Sequence, residues 1–171
     1  DDILSICKKY NLMLIEDCCE SMGAKYKDKY VGSFGRVASF SFYYSHHITT
    51  LEGGICVTDD HDLSEMMRIV RAHGWVRQVE NREKWTNLYK DFDPKFLFVN
   101  DGYNLRITEP QAAMGLLQID KIDNFIESRQ NNAKKYFSEL KSLGDFFSFQ
   151  ITTKNAENSH FGFPIILKNN T

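Results

Sequence analysis

Four groups of polar residues interrupt the apolar stretches of this 171-residue chain, and each has a chemistry of its own. The first is Glu16, Asp17 and Glu20, which close an apolar run at residues 12–15. An ionised carboxylate is costly to bury unpaired, so Asp17 is expected to face a cation or a strong donor, or else to cap a helix. The second group is Ser39, Ser41, Ser45, His46 and His47, at the exit of an aromatic run. Imidazoles titrate near neutrality and can move protons or bind a metal. Adjacent side chains on a strand point to opposite faces, which argues against one metal held by both. The pair reads as one active histidine beside a structural one, or as a surface or core feature with no chemistry. The third group, Thr49, Thr50, Glu52, Gly53 and Gly54, is a turn that lets backbone approach a ligand closely, or a turn alone. The fourth, Gly102, Tyr103, Asn104, Leu105 and Arg106, precedes a helix start. Its neutral and cationic donors suit an anion such as phosphate, while Arg106 could equally pin the loop to a carboxylate.

These groups need elements to position them. Ile3, Leu4 and Cys7 recur at helical spacing, and Asn11 separates that helix from residues 12–15, a strand expected to be buried on both faces. Such a strand belongs to an α/β sheet, where ligands gather at the carboxyl ends of strands, and Asp17 stands at one. Residues 26–31 read as a short hairpin before the turn Gly32, Ser33, Phe34, Gly35. Residues 37–44 are β-rich and lead to the histidines, and residues 55–58 make a third strand. Asp59 or Asp60 caps a helix carrying Leu63, Met66, Met67 and Val70 on one stripe and ending at Gly74. Residues 75–101 keep no period and read as a long excursion of the functional or partner-contacting kind. Thr108, Glu109, Pro110 and Gln111 form a capping-box start. A further helix at about residues 119–143 puts Ile122, Phe125, Ile126, Ala133, Tyr136, Phe137 and Leu140 on one face. Residues 161–167 begin a strand of another layer.

Composition narrows the class. With 21 basic and 23 acidic residues and a formal charge of -2, the chain builds no positive field for a nucleic-acid backbone. No apolar stretch approaches the roughly 18 residues of a membrane span, and Asp1 and Asp2 are the opposite of a basic signal-peptide start. A cytoplasmic location with neither nucleic acid nor membrane as partner is expected. Cys7, Cys18, Cys19 and Cys56 lack C-x-x-C spacing and read as reduced, mostly buried apolar residues, with no metal site. Both ends look cut, since residues 3–10 read as the back half of a helix and the chain stops after an apolar run. A segment of a longer protein is expected.

The order of the motifs says more than any one of them. Ile15, Glu16, Asp17, then Ser39, Phe40, Ser41, then Ile48 through Gly54, then His73, Gly74, and finally Gly102 through Thr108 with Gln111, Ala112, Ala113 follow one another. Over nearly its whole length the chain resembles the DegT/DnrJ/EryC1/StrS sugar aminotransferases, fold type I enzymes that use pyridoxal 5'-phosphate. The resemblance implies an α/β fold. Residues 1–118 would be the C-terminal part of the large, mostly parallel-sheet domain, residues 119–143 a long connecting helix, and residues 144–171 the start of the small C-terminal domain.

Carried over by position, Asp17 matches the carboxylate that pairs with the cofactor's pyridinium nitrogen. Glu20 matches a position near the ring hydroxyl, and Ser41 the serine on the phosphate. Asn104 matches an asparagine that reaches the phosphate of the neighbouring subunit in a homodimer, with Arg106 bracing its loop. His47, Glu52 and Gly53 support the site. The chain departs from the family at His46, which stands on the position of the lysine that bonds the cofactor, and a histidine cannot form a Schiff base. This replacement resembles the nucleotide-sugar 3-dehydratases of colitose and ascarylose biosynthesis. The cofactor would then work as pyridoxamine 5'-phosphate, regenerated by an amino donor such as glutamate. His46 would be the acid and base in removing the C3 hydroxyl of a nucleotide-linked 4-keto-6-deoxyhexose. The ascarylose type adds an iron–sulfur cluster, which needs thiolates beyond the histidine strand and helix, and no cysteine follows Cys56. The cluster-free, colitose-like type is therefore favoured. The alternatives are a nucleotide-sugar aminotransferase and a non-catalytic sugar-nucleotide-binding relative.

Overall fold

A computed structural model describes residues 1–168. In chain order it holds α1 (Asp2–Tyr10), β1 (Ile15–Asp17), β2 (Lys25–Tyr26), β3 (Lys29–Tyr30), β4 (Val37–Ser41), β5 (Gly54–Val57), α2 (His61–Arg71) and α3 (Arg82–Leu88). There follow α4 (Glu109–Ile119), α5 (Ile122–Leu140), β6 (Phe147–Phe149), β7 (Ala156–Glu157) and β8 (Ile165–Leu167). Two compact units divide the chain: Asp1–Cys56 with the described residues from Glu109 onward, and Val57–Thr108.

The sheet of the first unit has the order β1-β4-β5, with β1 and β4 parallel and Asp17 opposite Ser39. At Gly54 a Cβ would lie 2.7 Å from Phe40 O, so only glycine lets β5 come this close. The expected first strand is shifted and exposed. It begins at Ile15, and Leu12, Met13 and Ile15 are 55%, 60% and 63% exposed, because among the described residues β1 is an edge strand flanked by β4 alone. The expected hairpin is present as β2 and β3, with Lys27 and Asp28 both left-handed at φ 51° and 61°, the geometry of a two-residue turn that matches strand twist. Its partner β7 adds antiparallel to β2.

The helix expected at residues 119–143 is divided. α4 runs on to Ile119, a turn at residues 120–121 separates it from α5, and a 3-10 turn at Lys141–Leu143 ends the segment. Phe137 of α5 packs its ring 4.9 Å from Phe163 and 5.8 Å from Phe149, which joins the helix to the β6–β8 ladder. The strand expected over residues 161–167 narrows to β8.

In the second unit Asp60 caps α2 by accepting from Leu63 N–H at 3.0 Å. Ile69, Val76, Val79 and Leu97 form the core, with Trp85 and Val99 packed on it. The excursion at residues 75–101 therefore carries most of a small core and a helix, α3. Seven residues are too few to display a period, but Asn81 caps α3 by accepting from Lys84 N–H at 3.3 Å. Buried Glu65 of α2 accepts from Asn81 N–H at 3.1 Å.

All four cysteines are free thiols, but only Cys18 is buried. Cys56 lies exposed on edge strand β5, and Cys7 and Cys19 are half-buried, Cys7 on a helix with no buried residue. No helix among the described residues is long and apolar enough to cross a membrane.

Candidate functional site

The carboxylates at the end of β1 divide their work. Glu16 accepts three backbone N–H groups, from Gly32 at 2.8 Å, Phe34 at 2.7 Å and Gly35 at 2.6 Å, and so ties the turn after the hairpin to the strand. Asp17 points the other way, into solvent, as alternation along a strand requires. Its Oδ1 accepts from Cys19 N–H at 3.2 Å and from Ser39 Oγ–H at 3.5 Å. The Cys19 thiol and then the Cys19 N–H hold the Asp17 carboxyl below its ordinary value, against a smaller opposing effect of desolvation. Asp17 does not cap a helix, since turns follow it. Its described donors are neutral, not cationic. Glu20 is exposed and lines a cleft of about 430 Å³ with Gln150, Asn158, Phe161 and Phe163.

The histidines sit on a closed loop. Phe42 N–H donates to Gly53 O at 2.9 Å, while Phe42 O accepts from Thr50 N–H at 2.8 Å and Thr49 Oγ1–H at 3.2 Å. Buried Thr50 donates its hydroxyl to Glu52 O at 2.8 Å, and Gln111 of α4 donates to the same carbonyl at 2.9 Å. The third polar group is thus the clasp of the histidine loop, worked through the backbone carbonyls of Glu52 and Gly53. Ser41 Oγ accepts from Tyr43 N–H at 3.2 Å.

Because the chain leaves the strand after Ser41, alternation no longer governs residues 46 and 47. Both rings meet Phe161 instead, His46 at 5.0 Å and His47 at 6.0 Å between centroids. His46 also lies edge-on to Tyr43 at 6.0 Å, and its Nδ1 is buried with no described partner. His47 is 3% exposed, with Nε2 3.3 Å from Ser159 O. A carbonyl can only accept, so Nε2 carries the proton. Burial pushes the His47 pKa down, the Arg129 charge adds to this, and the Ser159 bond opposes it. His47 is a neutral structural tie. Arg129 of α5 donates through Nη1 to His160 O at 3.1 Å and Phe161 O at 2.9 Å, and Gln130 donates to Asn158 O at 3.1 Å.

Asn104 and Arg106 belong to the second unit. There His73 and Gly74 turn the chain at φ 64° and 82°. Tyr103 N–H donates to Val70 O at 2.7 Å, and Tyr103 O accepts from His73 N–H at 2.8 Å. Asn104 bridges Ala72, and both it and Arg106 are exposed. Arg106 Nη2 lies 3.5 Å from His73 Nε2, so its described neighbour is an imidazole, not a carboxylate.

A model of the DegT/DnrJ/EryC1/StrS aminotransferase family matches residues 1–171. The chain belongs to that family. Among curated relatives, the GDP-4-keto-6-deoxy-D-mannose 3-dehydratase of Escherichia coli O55:H7 is 39% identical over 170 residues, covering 98% of this chain and 43% of its own. The enzyme of the same name from Yersinia pseudotuberculosis is 41% identical, with coverages of 98% and 42%. The solved structure of an E. coli GDP-4-keto-6-deoxy-D-mannose-3-dehydratase with bound hydrated PLP superposes with a TM-score of 0.89 at 38% identity, over 100% of this chain and 44% of that one. The chain thus spans under half the length of these relatives.

This DegT/DnrJ/EryC1/StrS member therefore has the fold type I α/β architecture expected from its motifs. Sequence reasoning missed Phe161, Arg129 and Ser159. The one signal was the pair Arg129 and Gln130 interrupting the apolar stripe of α5. It grouped Ser39 with the histidines, whereas the structure sets it beside Asp17. Among the described residues no cluster of three or more His, Cys, Asp or Glu is arranged to hold a metal.

Proposed function

We propose that this chain supplies part of the active site of a pyridoxamine-phosphate-dependent 3-dehydratase acting on a nucleotide-linked 4-keto-6-deoxyhexose in deoxysugar biosynthesis. The GDP-4-keto-6-deoxy-D-mannose of its relatives' names is the substrate to try first. The observation that carries the reading is His46: an imidazole at the family's lysine position, held between Tyr43 and Phe161, with a buried Nδ1 left unpartnered. The donor set fits the cofactor as well. A strand-end carboxylate kept ionised and open to solvent suits a pyridinium N–H, and a serine hydroxyl already accepting one bond suits a phosphate oxygen.

When bound, pyridoxamine phosphate supplies an amine for the sugar's 4-keto group and a protonated ring that takes up electron density. Asp17 accepts the ring N–H and keeps that nitrogen protonated. Ser41 donates its free O–H to the phosphate, and Glu20 stands near the ring hydroxyl. Asn104, its loop braced by Arg106 against His73, reaches the phosphate of the neighbouring subunit in a homodimer. His46 would take a proton from the cofactor's methylene carbon and give one to the hydroxyl leaving sugar C3, the base and acid roles open to an imidazole. Burial and the Nε2–H bond to Ser159 O support a structural role for His47 beside it. A histidine forms no Schiff base, so noncovalent contacts would hold the cofactor, and glutamate or a similar donor would restore its amine.

The test uses a polypeptide of the relatives' length, pyridoxamine phosphate and the GDP-linked keto sugar, with mass analysis of the product. A sugar lighter by one oxygen supports the reading, and an aminated sugar that keeps that oxygen identifies an aminotransferase. His46→Asn is expected to abolish C3–O cleavage. If only His47→Asn does so, the wrong histidine has been assigned. Cofactor binding without turnover points to a non-catalytic relative.

A further inference from the structure

Asp17 and Ser39 are partners in the parallel register of β1 and β4, so their side chains leave the sheet on one face. Two donors converge there on a single oxygen, Cys19 N–H at 3.2 Å and Ser39 Oγ–H at 3.5 Å, both at Oδ1. Cys19 folds back over the pair, with Sγ 4.0 Å from Ser39 O and 3.9 Å from Ser39 Oγ. Each carboxylate oxygen has lone pairs to offer, and an aspartate fastened through Oδ1 keeps Oδ2 for an incoming donor.

We propose that Cys19 and Ser39 are positioning residues for Asp17, fixing its rotamer through Oδ1 so that Oδ2 meets the pyridinium N–H of the cofactor. This rests on the role of Asp17 in the proposed function. Neither residue touches the cofactor; both act through the carboxylate. The nearby Cys19 thiol and the Cys19 N–H also favour the ionised carboxylate, and nearness to Asp17 in turn pushes the Cys19 thiol up, so the shifts of the two partners agree. A side chain already held in its bound rotamer loses less freedom on binding.

The experiment is equilibrium dialysis of pyridoxamine phosphate over about pH 3 to 8, in a polypeptide of the relatives' length. Ser39→Ala, which removes the Oγ–H bond to Oδ1, is expected to weaken binding about threefold to tenfold at neutral pH, the size of one hydrogen bond, and Cys19→Ala, which keeps the N–H bond but removes the thiol over Ser39, about threefold. In Cys19→Ala the acid limb of binding should also move to higher pH, because Asp17 then protonates more readily. A merely structural contact would not move that limb. Cys19→Ser, which keeps a donor, should recover binding to within about twofold of the parent. Asp17→Asn separates the two ideas. If it binds like the parent, the role of Asp17 fails and the inference goes with it. If it weakens binding while Cys19→Ala and Ser39→Ala stay within about twofold of the parent, with the acid limb unmoved, only the inference is overturned. Circular dichroism identifies any variant that does not fold, and should Cys19→Ala be one, Ser39→Ala and Cys19→Ser carry the same comparison.

Discussion

Replacing Glu16 by glutamine changes one atom in the side chain that anchors the turn at residues 32–35. In the parent, Oε1 accepts from Phe34 and Gly35 and Oε2 accepts from Gly32, over 2.6 to 2.8 Å. A glutamine can offer its oxygen to one side only. If it faces Phe34 and Gly35, the Gly32 N–H confronts an NH₂ group, and two charge-assisted bonds become neutral ones. A hydrogen bond to a charged group contributes roughly 1.5–3 kcal/mol and a neutral one roughly 0.5–1.5. Losing one and weakening two, with partial relief from water at this half-buried site, gives an expected loss of about 3 kcal/mol. With m between about 1 and 3 kcal/mol/M, the urea midpoint should fall by roughly 1–3 M at unchanged slope, followed by circular dichroism. Glu16→Ala, which removes every acceptor, should lose at least as much. A Glu16→Gln midpoint within about 0.3 M of the parent would refute the claim that these bonds anchor the turn.

Two further outcomes follow from other parts of the chain. Gly74 sits at φ 82° with Asn100 O in the place a Cβ would take, so Gly74→Ala must displace backbone; a loss of about 3 kcal/mol or more is expected, seen as a lower thermal midpoint with faster amide exchange across residues 69–103. Burial lowers the His47 pKa below its unfolded value of 6.5, so the unfolded chain binds the extra proton. The contribution is whole above about pH 6.5 and is lost as pH falls through that value towards the folded pKa. His47→Gln should therefore flatten the fall in urea midpoint between about pH 7 and 5, and an unchanged slope would show that another group titrates there.

Local features of the fold were legible. The hairpin at residues 26–31, the Asp60 cap and the start of α4 each follow from a few adjacent residues whose backbone preferences agree. The ordered motifs gave the family. What could not be read depends on partners distant in sequence. Glu16 and Asp17 look alike in a sequence, and only the pleat decides that one receives the hairpin turn and the other faces solvent. The acceptors of Arg129 are backbone carbonyls, which carry no residue signature, so nothing marked Phe161 as the surface on which both histidines rest. Helix α3 was missed because its one turn of contact, Trp85, belongs to a core shared with residues on either side. The apolar run before β1 suggested burial, but its exposure depends on which strands flank it.

The bond between His47 and Ser159 spans 112 residues of chain. A contact of that range sets an order of assembly. The unit at Val57–Thr108 is contiguous and its core is drawn from residues 69–99, so every one of its partners has been synthesised before Ser159 exists. The histidine loop is the opposite case: its clasp needs α4, and its tie needs a segment translated later still. Closing so long a loop costs entropy before any contact rewards it, which places the setting of His46 among the slow, late events of folding. A nascent chain thus carries His46 in an unformed loop until nearly all of this sequence has been made.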